Sequence, residues 1–180
     1  MPKTPHDVLE FWFSDEMRPY WFAKSDSIDK EIAARFSETY EEAHAGRLDD
    51  WIGAPDSALA LIIVLDQFPR NIHRGGPRSF ESNDIALAHA RSALEMGHDA
   101  GQTPDRRQFF YLPFMHSEDL ADQERSVALY EQLGDANSLR FARDHRDIVA
   151  RFGRFPHRNA ILGRDSTPEE AEFLKTHKGF

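Results

Sequence analysis

Eight consecutive apolar residues, Ala58 to Leu65, constrain this chain more than any other feature. Pro55-Asp56-Ser57 opens the run with residues that start helices, and Asp66 closes it. A helix with no polar face belongs in the middle of a protein, so the rest of the chain must surround it. The run is also too short for a bilayer, which takes about 20 apolar residues. No membrane partner is expected.

The flanking text supplies the surround. Thr4-Pro5 is an N-cap and first-turn pair leading into Val8, Leu9, Trp12 and Phe13. Ile28, Ile32, Phe36 and Tyr40 recur at every fourth residue, with Gly46 as a stop. Ser82-Asn83-Asp84 opens a helix that ends at Gly97, and Pro104 opens one that Pro113 bends or ends. Ser117 is expected to cap a helix running to Gly134, and Asp135 or Asn137 to open the next, to about Phe152. Thr167-Pro168-Glu169-Glu170 reads as a capping box before a last short helix. No alternating stretch is long enough for a strand. The fold class is therefore all-α, in one domain over 1–180, with the longest loops at 68–81 and 153–166. Gly97 and Gly134 each close a helix and lie 37 residues apart, close to a helical-hairpin repeat of the tetratricopeptide kind but without its signature.

Charge and composition exclude several functions. Lys and Arg total 22 against 31 Asp and Glu, a net charge of −9 that repels a phosphate backbone, so no nucleic-acid partner is expected. The chain has no cysteine, which removes thiolate nucleophiles, disulfides and Cys-ligated zinc. Its first residues lack the apolar core of a signal peptide, so the expected location is cytoplasmic. No His-Glu-x-x-His, P-loop or G-x-S-x-G motif occurs. Neither metal nor any particular cofactor is called for.

Three polar segments remain. Asp66 ends the apolar helix, where a carboxylate opposes the helix dipole, and it calls for Arg70 or an arginine of the 151–164 segment as partner. Arg140, Asp144, Asp147 and Arg151 share one helical stripe and can pair at i,i+4, whereas Arg154, Arg158 and Arg164 have no such explanation. A guanidinium in that loop could hold phosphate or carboxylate in bidentate fashion. His145 falls on the apolar stripe of Phe141, Ile148 and Phe152, and His116 stands beside Glu118 and Asp119. The resulting expectation is a pocket for a small anion. Its acid/base candidates are His116, Glu118 and His157, and its ligand-binding candidates Asp66, Arg70, Asn71, His145, Arg154, Arg158 and Asn159. The competing expectation is a protein-interaction module presenting a peptide groove, with Trp12, Tyr20, Trp21 and Phe22 as contact surface. In a purely architectural third reading these motifs only pair with one another.

The segments Leu65-Asp66-Gln67-Phe68-Pro69-Arg70-Asn71, Phe110 to Asp119 and His145 to Asn159, with Val8 to Phe13 and Trp21-Phe22, resemble a mostly bacterial family known as domain of unknown function 924. The resemblance covers nearly the whole chain. It implies a tetratricopeptide-like stack of antiparallel helices and transfers no catalytic residue.

Overall fold

The computed structural model describes all 180 residues, and the chain is all-α. Its α-helices are α1 (Pro5–Trp12), α2 (Asp26–His44), α3 (Pro55–Asp66), α4 (Phe68–Ile72), α5 (Asn83–Glu95), α6 (Pro104–His116), α7 (Leu120–Leu133), α8 (Ala136–Phe152) and α9 (Pro168–Phe173). Short 3-10 turns punctuate them. The residues sort into two compact units: 1–74 with 78–113, and 75–77 with 114–180.

The first unit is built around α3. Every residue from Ala58 to Asp66 is buried, and α1, α2, α4 and α5 all pack on this helix. The uniformly apolar run thus reaches the environment its composition demands. Aromatic rings fill the space beside it. Trp12 meets Phe68 and Phe109 edge-on, each at 5.6 Å between centroids, and Phe36 lies 4.7 Å from Phe68. Edge-to-face pairs of this kind add to the burial of apolar area. Local caps fix the ends: Thr4 accepts from the Asp7 N–H while Asp7 accepts from the Thr4 N–H at 2.8 Å, a reciprocal box.

The second unit is organised by the hairpin of α7 and α8. Gly134 ends α7 at φ +80°, a left-handed conformation that a side chain would strain, and Asp135 then caps α8 by accepting from the Ser138 N–H at 2.7 Å. Two residues suffice for the reversal, so the helices run antiparallel. Ile148 and Val149 of α8 pack with Phe155, and Phe152 and Phe173 flank this small core.

Local expectations are corrected at several points. The segment after Asp66 is a helix, α4, and not the start of a long loop. Pro69 falls at its first turn, where no amide hydrogen is needed, so Phe-Pro opens a helix at this point. Pro156 likewise opens the 3-10 turn Pro156–Arg158. Pro113 lies inside α6, which continues to His116. The cap of α7 is Asp119, whose Oδ1 accepts from the Ala121 N–H at 2.7 Å, and not Ser117. Ser117 is engaged elsewhere, its hydroxyl donating to Asp122 at 2.8 Å. The α8 stripe also pairs differently: Arg140 donates to Asn137, and Arg151 bonds Glu169. Arg140 stays on α8 but pairs with an amide three residues earlier, and only Arg151 leaves the helix, for Glu169 of α9.

Candidate functional site

The candidate residues divide between the units. Asp66, Arg70 and Asn71 belong to the first. Asp66 is 1 % exposed, accepts from the Gln67 amide at 2.5 Å, and has Arg70 Nη1 at 3.6 Å from its Oδ1. Arg70 also donates to the Asp66 carbonyl oxygen, closing the end of α3, while its Nη2 is buried without a hydrogen-bond partner. Asn71 donates to Asp29 at 2.8 Å, and Arg74 chelates the same carboxylate. These contacts fasten α4 to α2.

His116, Glu118, His145, Arg154, His157, Arg158 and Asn159 all fall in the second unit. There they separate into a saturated ionic network and a histidine cluster. Glu118 takes both Nη groups of Arg164, at 2.7 and 2.9 Å, and the Phe155 amide at 2.7 Å. Burial raises its pKa, but the Arg164 bonds, the Phe155 amide and the charges of Arg158 and Arg164 outweigh it, leaving the carboxyl below its ordinary range. A carboxylate so engaged is a poor proton donor near neutrality. Arg164 continues to Asn159 Oδ1 at 3.0 Å, and Asn159 donates to Glu170 at 3.3 Å. Arg154 grips Glu170 through Nε and Nη2 at 2.7 and 2.8 Å, and the Thr167 amide adds a bond at 2.8 Å. These bonds, the Arg154 pair first, hold Glu170 down to about 2. Five side chains thus form one chain of charge-assisted bonds from Glu118 to Arg154. Arg154, Asn159 and Glu118 are engaged by the protein itself, which accords with the architectural reading of those three.

The histidine cluster is of another kind. Arg158 is 6 % exposed, lies 4.5 Å above the Phe155 ring and donates to the His116 carbonyl at 3.0 Å. Phe155 is also the neighbour of His145 at 5.5 Å and of His157 at 5.6 Å, and the His116 and His145 rings lie 6.5 Å apart. Imidazoles and a buried guanidinium therefore share one aromatic floor. His145 Nδ1 lies 2.7 Å from the Phe141 carbonyl, which can only accept, so Nδ1 carries the proton and Nε2 the lone pair. Burial, then the charge of His116, pushes His145 down to about 3, the Phe141 bond offsetting this in part. Burial and the Arg158 charge push His157 down to about 4, and its Nδ1 is buried without a hydrogen-bond partner. His145 and His157 resist protonation because they are buried and because their neighbours already carry positive charge. No group of His, Asp and Glu side chains has the arrangement of a metal centre.

A pH dependence follows. His145 is charged below about 6.5 when unfolded and stays neutral to about 3 when folded, so the unfolded chain binds the extra proton in between. Its contribution is complete above pH 6.5 and is lost as pH falls. At pH 5 the loss is about 2 kcal/mol. Urea unfolding at pH 7 and pH 5 should show it together with a similar loss from His157, whose window runs from about 6.5 to about 4, so His145→Gln should roughly halve the slope. The carboxylates act in a lower window, from the ordinary Glu range down toward about 2, and leave this interval unaffected.

Sequence reasoning gave Glu170 only a capping role and assigned nothing to His177, Gly179 or Phe180. Glu170 is the hub of the network because the box places its carboxylate inward, 2 % exposed. Residues 177–180 have no periodicity that could have signalled their position on the cluster.

The matched family is described as "Bacterial protein of unknown function (DUF924)" and spans residues 8–178. A solved structure of a protein of unknown function from Agrobacterium tumefaciens is 42 % identical, with a TM-score of 0.91 over 95 % of this chain and 96 % of that one. None of the curated proteins matches this chain.

Proposed function

The chain belongs to this bacterial family of unknown function, and from that premise we propose that the Arg158 cluster binds a small anion, with His116, His145 and His157 around it as proton-holding groups. The observation that carries the reading is the juxtaposition of a buried guanidinium with two imidazoles, His145 and His157, that burial first and the neighbouring positive charge second keep neutral. An anion seated there offsets that charge. It stabilises the imidazolium forms, so binding takes up protons and tightens as pH falls from 7 toward 5. His157, with an unpartnered buried Nδ1, and His145, with its Nε2 lone pair, can then hold or move a proton at the bound group. Glu118 has a positioning role, since its ion pair with Arg164 ties the turn after α6 to the segment that carries Arg158. A chain free of cysteine suits a cytoplasmic setting.

The test is a thermal-shift titration with inorganic phosphate, phenyl phosphate and benzoate. A ligand at about 100 times its Kd adds about 2.7 kcal/mol, a rise of about 5–10 °C for a chain of this length. Arg158→Gln, checked for native helix content by circular dichroism, should abolish the shift. Equal shifts in both proteins would sink the reading.

A second reading, a tetratricopeptide-like interaction module, is favoured by one observation. Of the aromatic residues near α1, Trp12 is buried, but Phe22 is 69 % exposed and Tyr20 38 %. Exposed rings of this size suit a protein contact better than a metabolite.

A further inference from the structure

The face of the histidine cluster is covered by the chain itself. The Phe180 ring lies 3.6 Å from the His145 ring at 17°, a parallel stack. It meets His157 edge-on at 5.9 Å and His177 edge-on at 5.0 Å. Histidine rings therefore bound it on several sides, as an aromatic cage bounds a planar guest. The preceding residue is shaped for this approach. Gly179 has φ +115°, and a Cβ there would stand 3.2 Å from His157 Cδ2 and 3.4 Å from Cγ. A side chain at 179 would press directly on the imidazole.

The ring that does the covering is itself poorly held. Phe180 is 55 % exposed, whereas His145 beneath it is 6 % exposed. The Gly179 amide hydrogen goes to His177 Nδ1 at 3.3 Å, a bond within the segment and not to His145, His157 or Arg158. A half-exposed ring on a short segment resembles a reversible occupant more than a core residue, because it gains little burial to fix it there.

We propose that Phe180 is an internal stand-in for the ligand: its ring fills the planar subsite of the pocket, and the natural ligand is an anion that carries an aromatic or similarly planar group. This inference rests on the anion-binding reading given above. The ligand's ring would replace Phe180 against His145, and its charged group would lie toward Arg158, which shares the Phe155 floor with that histidine. Residues 177–180 then compete with the ligand, and apparent affinity falls by the fraction of time the subsite is open.

Three proteins test this: wild type, Phe180→Ala and Phe180→Trp. The first measurement is carbethoxylation of His145 by diethyl pyrocarbonate, followed by mass spectrometry. The second is calorimetric titration with phenyl phosphate and, separately, inorganic phosphate. Phe180→Ala should modify about ten times faster at His145 and bind phenyl phosphate about tenfold tighter, as expected for a subsite open about one tenth of the time. Phe180→Trp, which keeps a planar cover, should behave as wild type or be more protected. Inorganic phosphate should bind all three alike, because it does not contest the planar subsite. Unchanged His145 reactivity in Phe180→Ala overturns the proposal, even where both phosphates bind and the anion reading survives. Faster modification without binding of either phosphate leaves the cover in place but overturns both the ligand class and the anion reading.

Discussion

Trp12→Ala should destabilise the chain by about 4 kcal/mol, as a shift in the urea midpoint with no change in slope. Trp12 is 1 % exposed, and its ring joins α1 to Phe68 of α4 and Phe109 of α6 through two edge-to-face contacts. Its carbonyl also accepts from the Trp21 indole at 2.7 Å. Truncation removes the largest ring of that cluster, and the surrounding helix termini cannot close the void. Trp12→Phe should cost only about 1–2 kcal/mol. The indole Nε1 of Trp12 is buried with no acceptor, so replacing it by carbon relieves an unmet donor while most of the volume stays. Equal losses in the two variants would show that ring volume is not what matters there.

The second large effect is Glu170→Ala, at about 2–3 kcal/mol. Removing this carboxylate leaves Arg154 only the Asp165 carbonyl, takes one acceptor from Asn159 and opens the cap of α9. The Arg154 side chain is 28 % exposed and can turn to water, so the cost falls chiefly on the buried Asn159 amide and on the Thr167 cap. Glu170→Gln retains an oxygen for the Thr167 amide and should lose roughly half as much. A double variant, Arg154→Met with Glu170→Leu, should recover part of the loss if burial of charge is the dominant cost. No recovery would locate the effect in the Thr167 cap.

Helix identity was legible because local rules and packing agree. The run Ala58–Leu65 has one physical solution, a fully surrounded helix, and α3 adopts it. Thr4, Asp135 and Thr167 announce helix starts by chemistry that operates within three residues. Ser117 misled because Asp119, two residues on, offers a stronger acceptor at the same end, and a hydroxyl has several competing uses. The loop expected from Phe68 onward misled for a different reason: proline starts a helix as readily as it ends one, and only tertiary context selects.

The candidate site was legible in its residue types but not in its pairings. Arg154, Arg158 and Arg164 look equivalent in the text. Two of them meet carboxylates, Glu170 and Glu118, that lie 16 and 46 residues away in sequence. Distances of that order are set by how α7, α8 and α9 pack, which no local spacing reports. The stacking of Phe180 on His145, 35 positions apart by number, was invisible for the same reason.

The last of the boundaries between the compact units falls at Pro113–Phe114, inside α6. A protease needs an extended stretch to bind, and that position offers a helical one, so limited digestion should spare it. Expression of the histidine-bearing half from residue 114 would begin mid-helix, with its first amides lacking acceptors. A fragment meant to fold should therefore start no later than Pro104 and bring its own helix start with it.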